Sequence, residues 1–517
     1  VLYMADNKET THKWLTMVVV TLVIFMANLN TSVVNLATSQ MMKTFGVSLD
    51  QIQWVISSFT LTMGVTIPST GYISERFGFK KVFTLAVILF TTGSFLCGIS
   101  WNIMSVIAAR VVQGLGGAFI ISLGMTILMT TFEKSQIGMV VGIIGVCAMA
   151  APALGPTLGG YIIENFNWRF VFFINIPIGI VSTVLAIIIL RETERKLSKQ
   201  FDVIGFLTSA VGMVCILYVL GKGDVDWSDM KNIMIMITGC YCLIMFIVNE
   251  LLIPEPMLNL RLLKNYTFCM SNIIINVAQL VLFGGVFLMP VFLQQIKGLS
   301  ALQTGLVLFP EAIATAAAMM LFGKLGNKLD TRIFAVSALI LIVINSYSMS
   351  HITLDTPNAT ITLLLMIRGF GVGFLIAPVQ TIGLSGISKL DMPNASALIN
   401  TVKQVGASVG ITVITSIMQH QNTVNYADLA EQVNYFNPNS INLLKMVQGL
   451  LVQGGMSMSD AQGGAVSQIY KLIARQAQLQ SLNDTMLVIS VIAGLIILPT
   501  LLLRENKPQK PEIIHDK

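Results

Sequence analysis

Four ionisable side chains in this 517-residue chain sit where charge is expensive. Glu311, Arg110, Arg368 and Lys403 each lie inside a long apolar run. A charge at the centre of a bilayer costs about 2.5–3.5 kcal/mol on insertion scales, so such residues mark ion or substrate pathways. Among all the acids, Glu311 is the one clearly inside, following Pro310 roughly nine residues into its run. A carboxyl group there can bind a proton from one side and release it to the other. Burial favours its neutral form, and a nearby cation or water favours the charged one. The plainer reading is a Glu paired for packing.

Arg110 lies about 12 Å below one edge of its run at 1.5 Å per residue. It is expected to tune Glu311, with Asn30 at similar depth and Gln113 one turn further on. Together they predict a proton-coupling site, Glu311 with Arg110. Arg368 is read as structural, pairing with carbonyls or a helix end. Lys403 is a third buried charge, a gate or a counter-ion. Polar groups on otherwise apolar spans are the substrate-cavity candidates: Asn30, Gln113, Asn276, Gln279, Gln294, Gln380, Asn400 and Lys403. Phe283, Phe287 and the methionines supply an adaptable apolar wall.

The elements that carry these residues follow from composition. Hydrophobic residues make up 54% of the chain and charged ones 11%, far below the quarter typical of soluble proteins. Runs long enough to cross a bilayer follow one another. Fourteen spans are predicted, at 14–37, 50–71, 82–100, 102–130, 138–163, 170–190, 202–221, 232–252, 269–295, 302–323, 333–350, 361–385, 394–418 and 485–503. With the N-terminus inside, twenty Lys and Arg fall in cytoplasmic segments and five (Lys43, Arg169, Lys222, Lys231 and Lys297) in short outer loops. That bias places both termini in the cytoplasm. Trp14, Trp101, Trp168 and Trp227 fall at span ends, as an interfacial belt requires.

Residues 419–484 form a polar outer segment, a lid, a docking surface or a tolerated insertion. Within it, 443–451 and 469–479 could lie on the outer face as short amphipathic helices. The six cysteines form no CxxC pair and the four histidines have no metal-ligand spacing, so neither a disulfide framework nor a metal site is expected. The net charge of +6 sits in short loops and is no nucleic-acid signal. There is no GxxxxGK[ST] phosphate loop, no GxGxxG after a strand and no nucleophile elbow. An enzyme is not expected. No cleavable leader is expected, and Met4 is the expected initiator.

Three motifs stand out. Residues 145–160 read GVCAMAAPALGPTLGG, with Gly145, Ala148, Pro152, Gly155, Gly159 and Gly160 on one smooth helical face and Pro156 beside it. Small residues let helices approach closely where lipid provides no hydrophobic drive. Residues 71–81 read GYISERFGFKK, with tight turns permitted at Gly71 and Gly78. There Glu75, Arg76, Lys80 and Lys81 can form ion pairs. Residues 110–118 read RVVQGLGGA. Weaker copies of the last two recur 252 residues later at 323–332 and 258 residues later at Arg368. The near-equal offsets predict two related six-span halves. Domains are therefore expected at 1–200, 201–255 (two inserted spans) and 256–517.

These motifs resemble those of the major facilitator superfamily. GVCAMAAPALGPTLGG resembles the antiporter motif of its drug:proton exporters, GYISERFGFKK the superfamily loop signature, and RVVQGLGGA the fourth-helix motif. LNTSVVNLA at 29–37, WRFVFFINIPIG at 168–179, PMLNLRLLKN at 256–265 and SALINTVKQVGASVGI at 396–411 resemble the fourteen-span EmrB/QacA-type branch. The resemblance implies a major facilitator fold, all-α and polytopic. It implies a cytoplasmic latch at residues 71–81, a seal through the fifth helix and an arginine linked to proton coupling. This chain has Glu75 where the family usually has Asp, and Asn30 where it usually has an acid.

The function implied is proton-coupled efflux of amphiphilic or cationic drugs by alternating access. The alternatives are export of a specific metabolite, lipid or fatty acid, and a sensor without turnover. No cofactor is implied beyond the proton gradient. Expected partners are the bilayer of a bacterial cytoplasmic membrane, small amphiphilic substrates and, in a two-membrane bacterium, a periplasmic adaptor. A monomer is expected.

Overall fold

The computed structural model describes residues 2–47, 49–133, 136–192, 202–220, 228–254, 256–326, 330–388, 390–433 and 437–503, and among them every regular element is helical. In hydrocarbon a backbone must satisfy its own hydrogen bonds, and helices do so within one segment. The helices are α1 (Leu2–Phe45), α2 (Leu49–Phe77), α3 (Phe79–Ile99), α4 (Ile103–Thr131), α5 (Ile137–Asn165), α6 (Phe170–Phe173), α7 (Asn175–Ile189), α8 (Val203–Leu220), α9 (Met230–Leu252), α10 (Tyr266–Val291), α11 (Ala301–Leu325), α12 (Thr331–Met349), α13 (Asn358–Ser385), α14 (Met392–Gln432), α15 (Pro438–Gln453) and α16 (Met458–Leu501). Each of the fourteen expected spans falls on one of these, the sixth on α6 and α7 together. Among the described residues, eleven helical segments, α6 and α7 counted as one, are long and apolar enough to cross a membrane.

The helix starts follow local chemistry. Asn102 caps α4 and Ser300 caps α11, each in a reciprocal capping box with the residue three further on. Gly78, at φ 93°, makes the turn between α2 and α3, a conformation a Cβ disfavours.

The ends of the bundle are called here the basic end, where the Lys- and Arg-rich segments lie, and the far end. One buried apolar cluster runs from the basic part of α1–α5 into α10–α14 and α16. A second, smaller cluster (Leu29, Val33, Val55, Val106, Trp168 and Phe172 among others) fills the far end of the N-terminal half by itself. The two halves therefore share a continuous core at the basic end. α8 packs on α2 and α14, along the seam between the halves, and α9 packs on α8.

Two expectations are corrected. Residues 469–479 are not a separate surface helix. They belong to α16, which runs unbroken from Met458 to the last span. Residues 443–451 form a helix as expected, within α15, which packs along α16. The buried face of α16 there is Ala461, Ala465, Ile469 and Ile473, a four-residue repeat that needs a partner helix. Trp168 is not interfacial: it is 1% exposed, edge-on to Phe45 and Phe172. The tight loop after α5 folds it inward. Trp14 and Trp101 are exposed as expected, and Trp227 lies outside the described residues.

Candidate functional site

Glu311 points into the C-terminal half. Its Oε1 is 3.4 Å from Arg368 Nη1, with side-chain exposures of 17% and 4%. Arg368 Nη2 donates to the Leu282 carbonyl at 2.7 Å. The pair thus lies among α10, α11 and α13. Two glycines make room for it. A Cβ on Gly285 of α10 would fall on the Arg368 guanidinium, and one on Gly369 of α13 would fall on the Glu311 backbone carbonyl and 3.0 Å from its Cγ. Arg368 Nη1 makes no hydrogen bond, so Glu311 is held by charge alone on that side. The expectation that Arg110 tunes Glu311 is corrected: the cation facing Glu311 is Arg368, because α11 packs on α13 within its own half.

Arg110 instead anchors a sealed network in the N-terminal half. Its Nε donates to the Val55 carbonyl at 2.9 Å and its Nη1 to Gln113 Oε1 at 2.7 Å. The guanidinium stacks 4.2 Å from the Phe59 ring centroid, an attraction of about 0.5–2 kcal/mol. Gln113 Nε2 donates to Ser94 Oγ at 2.6 Å and Asn30 Oδ1 at 3.1 Å, and Asn175 Nδ2 donates to Asn30 Oδ1 at 3.0 Å. Five helices, α1, α2, α3, α4 and α7, meet there. The glycines of RVVQGLGGA permit this: a Cβ on Gly114 would lie 2.9 Å from the Phe59 carbonyl, and one on Gly116 would meet α3. Asn30 and Gln113 are 1% and 0% exposed, so they brace Arg110 and do not line an open cavity.

The other candidates disperse. Gln380 and Lys403 meet at the seam between the halves, where Lys403 Nζ donates to Gln380 Oε1 at 3.2 Å and Gln380 Nε2 contacts Met125 Sδ of α4 at 3.2 Å. Asn400, 8% exposed, lies one turn from Lys403 and its Nδ2 has no partner. Asn276 bonds back to the Asn272 carbonyl and its Oδ1 lies against Gly406. Gln279 is half-buried on α10, and Gln294 sits in a π-helical turn, Phe292–Ile296, at the far end. Phe283 and Phe287 lie in α10, but their side chains are outside the described residues.

At the basic end the predicted latch reaches across the halves. Glu75, 4% exposed, accepts from Asn394 Nδ2 of α14 at 3.3 Å. A Cβ on Gly71 would lie 3.3 Å from the Pro393 carbonyl. Arg76 Nη1 donates to the Tyr72 hydroxyl at 2.6 Å. The Lys80 N–H donates to Glu192 Oε1 at 3.3 Å, while Lys81 is exposed. In the repeat of this loop, Asp330 accepts the Arg332 N–H at 2.9 Å at the start of α12, and Asn327 lies outside the described residues. α5 seals against the opposite half through glycine. A Cβ on Gly142 would lie 2.9 Å from the Met319 carbonyl of α11, and one on Gly145 would strike the Met319 sulfur. Gly155 faces Ser32 of α1 instead. Gly159 and Gly160 are buried, and the side chains of Pro152 and Pro156 are outside the described residues.

Sequence reasoning missed three groups. Arg368, expected to pair with carbonyls or a helix end, does bond the Leu282 carbonyl, and it also faces Glu311, two spans earlier in the chain. Asn175 and Ser94 complete the Arg110 network; Asn175 was visible as a lone polar residue in WRFVFFINIPIG. Glu250 is a second buried acid, 0% exposed. Its Oε2 accepts the Leu258 N–H at 3.1 Å, and Asn249 beside it donates to Asp202 Oδ2 at 2.7 Å. Glu250 lies in the last turn of α9, so a count by distance from the span end passed over it.

The sequence model of the Major Facilitator Superfamily matches residues 20–411. The chain is 32% identical over 491 residues to the uncharacterized MFS-type transporter YhcA of Bacillus subtilis, covering 94% of this chain and 92% of that one. It is 30% identical over 458 residues to the multidrug export protein EmrB of Escherichia coli, covering 87% and 88%. Its fold matches a crystal structure of the human organic anion transporter MFSD10 with a TM-score of 0.59, at 13% identity, over 95% of this chain and 99% of that one. The last shows the shared fold alone.

Proposed function

Because the chain belongs to the major facilitator superfamily, in its EmrB/QacA-type branch, and is an efflux transporter spanning the membrane many times, we propose that it is a proton-coupled antiporter expelling amphiphilic compounds. The observation that carries the reading is the Glu311–Arg368 pair, held among three helices yet with the Glu311 side chain 17% exposed. A carboxyl group held by one cation can trade that cation for a proton, and the trade changes what α11 and α13 have to hold together. We assign the basic end to the cytoplasm of a bacterial cell on the bias of its Lys and Arg. The conformer described is then closed to the cytoplasm, sealed by Glu75–Asn394 and by Gly142 and Gly145 against Met319. Two halves rocking about a site at their interface is the general mechanism of this superfamily. Multidrug export is the activity in EmrB's name, and it supports a drug-like cargo here.

The test is transport into proteoliposomes under an imposed pH gradient, with a panel of amphiphiles. Glu311→Gln keeps the shape and a hydrogen-bond acceptor but cannot carry the proton. The expected result is loss of gradient-driven uptake with retained counterflow exchange. Normal gradient-driven uptake by Glu311→Gln removes Glu311 as the carrier.

A further inference from the structure

The charges deep within the bundle do not balance. Among the described residues, Arg110, Arg368 and Lys403 are cations and Glu311 is the anion that one of them pairs with. Arg110 is sealed, with its guanidinium bonded to a carbonyl and an amide and stacked on Phe59. Lys403 differs. An ammonium carries three donors, and Lys403 uses one, on the neutral Gln380 Oε1 at 3.2 Å. Lys403 is eleven residues into α14, about 16 Å along the helix axis at 1.5 Å per residue, close to mid-membrane. Asn400, on the same face of α14 at i−3, adds an unpartnered buried Nδ2. The Gln380 amide turns its NH2 to Met125 of the other half. The cluster thus has donors to spare, two on Lys403 and the Asn400 Nδ2, at the seam where the halves must part.

We propose that Lys403, with Asn400, is the head-group site for an anionic amphiphile, a carboxylate on an apolar chain. This rests on the efflux reading and names its substrate class. A carboxylate accepts several hydrogen bonds and is acceptor-only when ionised, so it complements a donor-rich site carrying a net positive charge. A cationic drug would meet like charge there. The methionine at position 125, 3% exposed, is an adaptable neighbour for the chain of the amphiphile. Gln380 holds the ammonium in place until the anion arrives.

The experiment is equilibrium binding of radiolabelled laurate, dodecylammonium and dodecanol to the full chain in lipid nanodiscs at pH 7.5. It compares the wild type with Lys403→Arg, Lys403→Gln and Lys403→Glu. The expected result is that the wild type binds laurate at least tenfold more tightly than dodecylammonium. Lys403→Gln should lose at least tenfold of laurate affinity and leave dodecanol unchanged. Lys403→Arg should retain laurate binding, which also shows that the position tolerates change, and Lys403→Glu should reverse the preference. Unchanged laurate binding by Lys403→Gln, or a wild-type preference for dodecylammonium, overturns the proposal. The pH-gradient assay separates the two readings. Glu311-dependent transport with no Lys403 effect on laurate binding sinks the substrate class alone. Lys403-dependent binding without gradient-driven transport sinks the coupling alone.

Discussion

Glu311 and Arg368 should behave as one unit, and a double-mutant cycle measures whether they do. At an N–O separation of 3.4 Å, two unit charges attract by about 5 kcal/mol at an effective dielectric near 20. Glu311 keeps 17% of its surface exposed, so screening takes a share of that. Contacting residues in such cycles couple by about 0.5–3 kcal/mol, and this pair belongs near the top of that range, at about 2–3 kcal/mol. Removing one partner strands the other charge in the bundle, at a cost of about 3–5 kcal/mol. Removing both leaves no stranded charge. Glu311→Leu and Arg368→Met should therefore each lower the thermal midpoint in nanodiscs. The double variant should recover a large part of their summed loss. The recovery should be the same at 50 and 500 mM NaCl, because a buried pair is little screened by salt. Strictly additive midpoints would mean that the carboxylate and the guanidinium do not interact, and the assignment of Arg368 as the counter-charge would fall.

Gly285→Ala should displace the Arg368 guanidinium and abolish gradient-driven transport with Glu311 intact; combining it with the slimmer Arg368→Lys should restore part of it in the same proteoliposome assay. Gly142→Val should wedge α5 from α11, where even a Cβ lies 2.9 Å from the Met319 carbonyl; spin labels at Gln136 and Lys324 should report a longer distance, and an unchanged distance would refute the seal. Asn394→Leu should remove the bond that ties Glu75 to α14, worth about 0.5–1.5 kcal/mol for one hydrogen bond, and the same labels should show the basic end opening in a larger share of molecules. Arg110→Lys should lose the bond to Val55 or to Gln113, since an ammonium has no planar fork, and should lower the thermal midpoint without changing laurate affinity.

The amino-acid sequence by itself determined the architecture. Backbone groups in hydrocarbon have few solutions, so apolar runs near twenty residues map onto helices almost one for one. It also determined which charges are costly, because Glu311, Arg110, Arg368 and Lys403 interrupt those runs whatever their neighbours are. The glycine faces of α4 and α5 were legible because close approach of backbones needs small residues at helical spacing. Partnership was not legible. Whether Arg110 or Arg368 faces Glu311 depends on which helices touch and how each is rotated about its axis, and residues 57 positions apart in sequence, Glu311 and Arg368, meet only once α11 lies on α13. The same holds for Asn30, whose carbonyl oxygen looked available from sequence and is taken by Gln113 and Asn175 from two other helices. The extent of the hairpin of α15 and α16 was hidden for a related reason: two short amphipathic helices were legible within 419–484, but not that the second continues unbroken into the last span and buries Ala461, Ala465, Ile469 and Ile473. Spacing along one chain fixes what a side chain can do, while the packing of distant segments fixes what it does it to.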